Sequence, residues 1–248
     1  MTIKDQVDSQ LDNILKALGT PEGKIEFLKK AMKASILKAG PLLLSLYEET
    51  GRLEDAGKLA KQMGDNGLSM ALYHKVYDQL VRGNEQEEAG RIAYYLGLRE
   101  EAVVWYEKSG KFQKAAQVAE ELKQVDRAIA MYERAGWYDD AARVAEESGK
   151  KDDATRLYMK QIEELAREEM FDEASKMAEK LGLINLAIEI YQKGNQFGQA
   201  GRLFEMVEKY SEAMVCYERA GLFEEARRLA EKINESSREQ VYKIIAQL

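Results

Sequence analysis

The chain has 248 residues, with 37 Lys and Arg against 44 Asp and Glu for a net charge of −7, and it holds one cysteine and two prolines. That acidic balance argues against a dedicated DNA or RNA partner, because phosphate binding rests on Lys and Arg, and the lone Cys216 excludes an intramolecular disulfide and reads as a buried, reduced thiol. With 33% of residues charged and Ala, Glu, Lys, Leu and Arg abundant, the composition suits many helices and no sheet.

The opening MTIKDQVDSQ carries acids where a secretory leader has bases and then apolar residues. No run approaches the ~18 apolar residues of a membrane span, so a cytoplasmic protein without a span is expected. Residues 3–18 place Ile3, Val7, Leu11, Ile14, Leu15 and Leu18 on one side of a helix. Thr20–Pro21 starts a second, basic helix through Lys38. Residues 1–42 thus read as N-terminal capping helices, since a terminal repeat needs one polar face. The same stripe also suits a partner helix or a second copy, which makes residues 1–39 the expected contact of a homo-oligomer.

From Leu43 onward the chain repeats itself. Tyr47, Tyr73, Tyr106, Tyr132, Tyr158, Tyr191 and Tyr217 are separated by 26, 33, 26, 26, 33 and 26 residues, and self-similarity at such a period marks stacked units that bury their faces only against neighbours. A first helix, A, reads LLSLYEETG, AVVWYEKSG, AIAMYERAG and AMVCYERAG at 43–51, 102–110, 128–136 and 213–221. Its first, second, fourth and fifth positions form one wide apolar stripe, as packing on two sides requires. Gly51, Gly110, Gly136 and Gly221 stand where a left-handed residue ends the helix.

Helix B follows, as in KFQKAAQVAE at 111–120 and WYDDAARVAE at 137–146. A small pair such as Ala115–Ala116 or Ala141–Ala142 lets helix A approach. Acids in the first turn of B have bases four residues on: Glu54–Lys58, Glu87–Arg91, Asp139–Arg143, Asp172–Lys176 and Glu224–Arg228. Such pairs, each contributing roughly 0.2–0.5 kcal/mol, predict a solvated outer face.

Two repeats are 33 residues long, with the added seven around Tyr77–Gly83 and Gln161–Arg167, where Tyr77 and Ile162 replace the terminal glycine. Seven residues are nearly two turns, about 10 Å, so both faces keep register. These read as two tall hairpins, either a loop-side elaboration or a docking projection. Val241, Ile244, Ile245 and Leu248 make the tail a closing helix over 239–248. The expected fold is an all-α superhelix of about seven antiparallel helix hairpins: one solenoid over 1–248, repeats over 43–238, and capping helices at both ends.

The pattern A-x-x-x-Y-E-[KR]-[AS]-G-x-[FY]-x-x-A-x-x-x-A, clean in Ala102–Ala119, Ala128–Ala145 and Ala213–Ala230, resembles tetratricopeptide-like helical hairpins. It is most similar to the short units of coat-type and intraflagellar-transport solenoids and of the soluble attachment proteins of membrane fusion. A tetratricopeptide unit is longer than the usual 26 residues here and ends in a proline these repeats lack. The resemblance implies a right-handed stack with helix A on its inner surface and a protein-binding scaffold, without naming a partner.

Nothing points to an enzyme, a cofactor or a metal. His74 is the only histidine, no glycine-rich phosphate loop occurs, and paired acids such as Glu87–Glu88 and Asp139–Asp140 sit where capping and dipole effects account for them. Trp105 and Trp137 read as core. One feature stands out: two residues after each tyrosine come Lys75, Lys108, Arg134, Lys160, Lys193 and Arg219, with Glu49 the exception. Most lack an acid four residues earlier, and the strip beside them is small or apolar, as at Val104, Ala130 and Val215. A base near a helix C-terminus is favoured by the dipole alone. Stacked into a ladder, these residues also suit an acidic, partly apolar peptide. The function expected is a non-enzymatic scaffold or adaptor; the alternatives are a homo-oligomeric structural protein and a nucleic-acid binder using the ladder.

Overall fold

The structure, a computed structural model, describes the backbone of residues 3–245 and the side chains of Gln6 and residues 10–234. Ile3, Val7, Val241, Ile244 and Ile245 of the two expected terminal stripes lie outside the described side chains, and Leu248 lies outside the described residues. Its contacts divide the chain into two compact units, Met1–Ala135 and Gly136–Leu248.

The first unit holds α1 (Ile3–Ala17), α2 (Pro21–Lys33), α3 (Ala39–Glu49), α4 (Leu53–Gln62), α5 (Asn66–Arg82), α6 (Gln86–Tyr95), α7 (Arg99–Lys108), α8 (Phe112–Glu121) and α9 (Val125–Arg134). The second holds α10 (Tyr138–Glu147), α11 (Lys151–Arg167), α12 (Phe171–Lys180), α13 (Ile184–Lys193), α14 (Phe197–Met206), α15 (Tyr210–Arg219) and α16 (Phe223–Ile245). No strand occurs among the described residues, and the fold is an all-α array of consecutive short helices. From α3 on, odd-numbered helices carry the repeat tyrosines and even-numbered helices carry the small pairs, except α16, where Arg227 follows Ala226. α16 runs unbroken from Phe223 to Ile245, so residues 239–245 prolong the last B helix instead of forming a separate one.

The turn chemistry explains why tyrosine and glycine keep their spacing. At the end of α7, Gly110 has φ +73°, its N–H donates to the Glu107 carbonyl at 3.1 Å, and the Lys111 N–H donates to the Tyr106 carbonyl at 2.8 Å. This paired closure needs a left-handed residue four places after the tyrosine. The turns from B to the next A use the same device: Lys123, at φ +58°, donates to Glu120 while Gln124 donates to Ala119, each at 2.9 Å. In the long repeat Gly83 caps α5 in a helical conformation and Asn84 takes the left-handed place at φ +56°.

Within each unit, α4, α6, α8, α12 and α14 pack more closely against the A helix that follows than against the one before. The tyrosine ring of the later helix lies on the fifth residue of B. A Cβ on Gly57, Gly90 or Gly201 would stand 2.9 Å from the ring of Tyr73, Tyr106 or Tyr217 respectively. Ala116 and Ala142 are fully buried at the same position. The small residues thus set the helix separation, and rings such as Tyr73, Tyr132 and Tyr191, at most 4% exposed, each contribute roughly 2–3 kcal/mol by burial.

α5 and α11 are 17 residues long, against 10 for the other A helices from α7 onward. Their added turns do not project: Val76, Tyr77 and Leu80 pack with Ile92 and Leu96, and Ile162 is buried with Ala174 and Ala178. The extra length instead slides the next B helix along its predecessor. The sixth residue of a B helix meets the ninth of the previous one at Arg202–Glu179 (2.6 Å) and Arg228–Glu205 (2.8 Å). Across α5 the sixth residue, Arg91, meets the second, Glu54, at 2.8 Å.

Those bridges revise the expected outer face. Glu54–Lys58 and Asp172–Lys176 form as expected, at 2.8 and 2.5 Å. Glu87 instead pairs with Lys111 and Lys114 of the next turn and helix, and Arg228 with Glu205 and Glu225. Long Arg and Lys side chains reach the neighbouring helix as easily as their own. Nor do the first-turn acids act as caps: Arg52, Lys111, Trp137 and Met170 hold N-cap positions without side-chain bonds. Burial pushes the Asp139 carboxyl up, and Asp140 adds to the shift.

Candidate functional site

The candidate surface is the outward side of the A helices. In the first unit Lys75, Val104, Lys108, Ala130 and Arg134 are exposed; in the second Lys193, Val215 and Arg219 are exposed and Lys160 is half-buried. A residue two places past a buried tyrosine lies across the helix from it, and its position at the C-terminal end of helix A brings it to the start of the preceding B helix.

There the bases find aromatic rings. The Arg134 guanidinium lies 3.9 Å from the ring centre of Phe112, Arg219 lies 5.5 Å from that of Phe197, and the Lys160 ammonium lies 6.0 Å from that of Tyr138. Lys108 instead covers Trp105 of its own helix at 4.5 Å. Such contacts contribute about 0.5–1 kcal/mol at exposed sites. In sequence an aromatic residue stands 22 places before Arg134, Lys160 and Arg219, and also before Lys193, which makes no such contact.

Among the described residues, Lys75, Lys108, Arg134, Lys193 and Arg219 have no carboxylate within ion-pair distance. The strip beside them is not uniformly basic. Val104 borders a groove of about 300 Å³ lined also by Tyr77, Glu100, Glu101 and Trp105. In it the Trp105 Nε1–H donates to the Tyr77 hydroxyl at 2.9 Å, and that hydroxyl donates to the Glu101 carboxylate. Burial pushes the Tyr77 hydroxyl up in pKa, and the bond to Glu101 pushes further. Trp105 is half-buried, but Trp137 is 46% exposed at the head of α10, where a turn residue has no core to enter.

A second set of contacts is written in the sequence as a spacing of twelve. The hydroxyls of Tyr132, Tyr158, Tyr191 and Tyr217 donate to Glu120, Glu146, Glu179 and Glu205 at 3.0, 3.2, 3.3 and 3.2 Å. The Arg228 bond draws the Glu205 carboxyl below the usual range, against the opposing effect of burial.

His74 is exposed on α5. Cys216 is buried, with Gln192 Nε2 donating to its Sγ at 3.5 Å. Among the described residues no group of His, Cys, Asp and Glu is arranged to hold a metal, and no helix is long and apolar enough to cross a membrane.

No family model matches the chain, and no curated protein is similar to it at a significant level. Among solved structures it is similar to a tetratricopeptide repeat protein from Parabacteroides merdae, with 16% identity, 92% of this chain and 96% of that one covered, and a TM-score of 0.32. It is also similar to BtubC (BKLC) from P. vanneervenii, at 13% identity, 97% and 93% coverage and a TM-score of 0.18. A circular tandem repeat protein gives 18% identity, 94% and 56% coverage and a TM-score of 0.12. At these TM-scores the likenesses carry no functional argument; the fold rests on the helices themselves.

Proposed function

We propose that this chain is a non-enzymatic, cytoplasmic scaffold or adaptor that binds a protein or peptide on its helix-A surfaces. Lys75, Lys108 and Arg134 of the first unit and Lys160, Lys193 and Arg219 of the second supply charge for an acidic partner. Val104, Ala130 and Val215 supply apolar contact, and beside Glu100 and Glu101 the partner presents an apolar or basic side chain.

The observation that supports this reading is a contrast between two rows of bases. Lys58, Arg91, Lys114, Lys176, Arg202 and Arg228 of the B helices all hold carboxylates, as do Arg99 and Arg127 early in their A helices, whereas five of the six bases two places after a repeat tyrosine hold none. Lys75 and Lys193 make the cleanest test because neither stacks on a ring. A protein captured from native lysate and identified by mass spectrometry should be lost with the Lys75→Glu, Lys193→Glu pair, at unchanged helicity and melting temperature. Equal capture by that variant refutes the reading.

One observation favours a second reading, in which residues 1–39 join two copies. Leu37, in the turn between α2 and α3, is 88% exposed, and a second copy laid over it would take its apolar surface out of water. Sedimentation of wild type and Leu37→Ser over a concentration series decides it; a monomer at every concentration ends that reading.

A further inference from the structure

Two grooves between successive B helices are built alike. In the second unit, Lys176, Glu179 and Lys180 of α12 face Arg202 of α14 across Tyr191. In the first unit, Lys29, Met32 and Lys33 of α2 face Asp55 and Lys58 of α4 across Tyr47. The first helices share one spacing, Lys29, Met32 and Lys33 against Lys176, Glu179 and Lys180, with Met32 where Glu179 stands; on the second helices Lys58 matches Arg202, and Asp55 stands where Gln199 stands.

Glu179 is the centre of its groove, accepting from the Tyr191 hydroxyl at 3.3 Å and from Arg202 at 2.6 Å. In the first groove that acid is missing while Tyr47, Lys29 and Lys33 remain; Lys58, in the place of Arg202, is held by Glu54 at 2.8 Å. Tyr47 is 4% exposed, lines the groove, and its hydroxyl donates to no described residue. The Lys29 ammonium lies 5.9 Å over the Tyr47 ring, and neither Lys29 nor Lys33 has a carboxylate partner among the described residues. Asp55 does not fill the place, because Arg52 holds it at 2.5 Å. Elsewhere in the first unit the equivalent grooves do hold acids, Glu54 against Arg91 and Glu87 against Lys114.

We propose that the groove between α2 and α4 binds a carboxylate side chain of a partner peptide, seated between Tyr47, Lys29 and Lys33. Its volume of about 350 Å³ exceeds the needs of one carboxylate. Beside Asp55 and Gln62 the rest of the wall, Met32, Leu43 and Leu59, is apolar, so the peptide residue next to the acid is apolar too. This surface lies between B helices and is separate from the helix-A strip.

The test is calorimetric titration of the full chain with an acetylated, amidated Leu-Glu-Leu-Glu-Leu peptide, its Gln counterpart and sodium glutarate. The Glu peptide should bind one per chain, weaken on the order of tenfold with Tyr47→Phe, and weaken further in about 0.5 M NaCl. Met32→Glu, which supplies the missing acid from within, should abolish binding at unchanged or raised melting temperature, and Met32→Leu should retain it. Binding of the Gln peptide at equal strength, or undiminished binding by Tyr47→Phe, overturns the proposal. Glutarate binding as tightly as the peptide overturns the peptide as occupant. None of these variants touches Lys75 or Lys193, so failure here leaves the helix-A reading standing on its own test.

Discussion

Replacing Gly90 by alanine should destabilise the protein, although a glycine inside a helix is ordinarily a site where alanine helps. Gly90 is the fifth residue of α6, buried beneath Tyr106. Helix propensity favours the change by about 1 kcal/mol. Against it, the new Cβ would lie 2.9 and 3.0 Å from two ring carbons of Tyr106 and 3.3 Å from the Cβ of Trp105. The ring cannot turn aside freely, since it is 6% exposed and packed between helices, and overpacking of this kind costs about 1–3 kcal/mol. The second effect wins, leaving a net loss of about 1 kcal/mol and a fall in melting temperature of roughly 2–4 °C for a chain of this size. Thermal unfolding followed by circular dichroism reads it. In a Tyr106→Ala background only the Trp105 contact remains, so the same substitution should turn stabilising. A rise in melting temperature for Gly90→Ala in the wild-type background would refute the claim that the tyrosine ring sets the helix separation.

Three further outcomes follow from named contacts. Tyr217→Phe removes a hydroxyl bonded to Glu205 and should cost about 0.5–1.5 kcal/mol, while Tyr106→Phe, whose hydroxyl has no acceptor among the described residues, should cost little; chemical denaturation compares them. Lys123→Gly relieves a side chain held at φ +58° and should raise stability by about 0.5–1 kcal/mol, the left-handed penalty less the unfolded-state entropy of glycine. The Glu205 carboxyl sits below its ordinary value of 4.5 in the folded chain, so its contribution is present above that value and fades as pH falls through and below it. The melting difference between wild type and Glu205→Gln should therefore shrink between about pH 6 and about pH 3, and a constant difference would show that the Arg228 pair contributes nothing.

Much of this architecture is legible in the sequence because the repeat is enforced by local geometry. The interval from Tyr106 to Gly110 is the span of one helix-ending closure, and the small pair Ala115–Ala116 is the imprint of a helix pressed against it. What stays hidden is whatever depends on reach across helices. Arg91 has Glu87 four residues earlier and Glu54 thirty-seven earlier, and only three-dimensional packing shows that Glu54 and Glu88 hold it. The bases after each tyrosine are visible as a row, yet their stacking on Phe112, Tyr138 and Phe197 depends on which B helix lies beside them. Trp137 looks like core by composition and is exposed by position.

The seven-residue additions join these two levels. A helix turns by about 100° per residue, so seven residues bring the chain back to within about 20° of the same face, and the buried positions of α5 and α11 continue from Tyr73 to Leu80 and from Leu157 to Ile162. The surface is not so indifferent. By carrying α6 along α4, the insertion moves the acid that meets Arg91 from the ninth residue of the B helix to the second, and at that ninth place α4 carries Lys61, which donates to Tyr95. The tyrosine–glutamate spacing of twelve begins only at Tyr132 because Lys61 and Tyr94 stand twelve places before Tyr73 and Tyr106. Deleting the seven residues from Tyr77 to Gly83 should accordingly leave a helical, folded chain while placing Arg91 opposite Lys61 instead of Glu54. An added Lys61→Glu should then recover stability in the deleted chain and do little in the intact one. Equal effects in both backgrounds would show that the insertion does not set the register of the B helices.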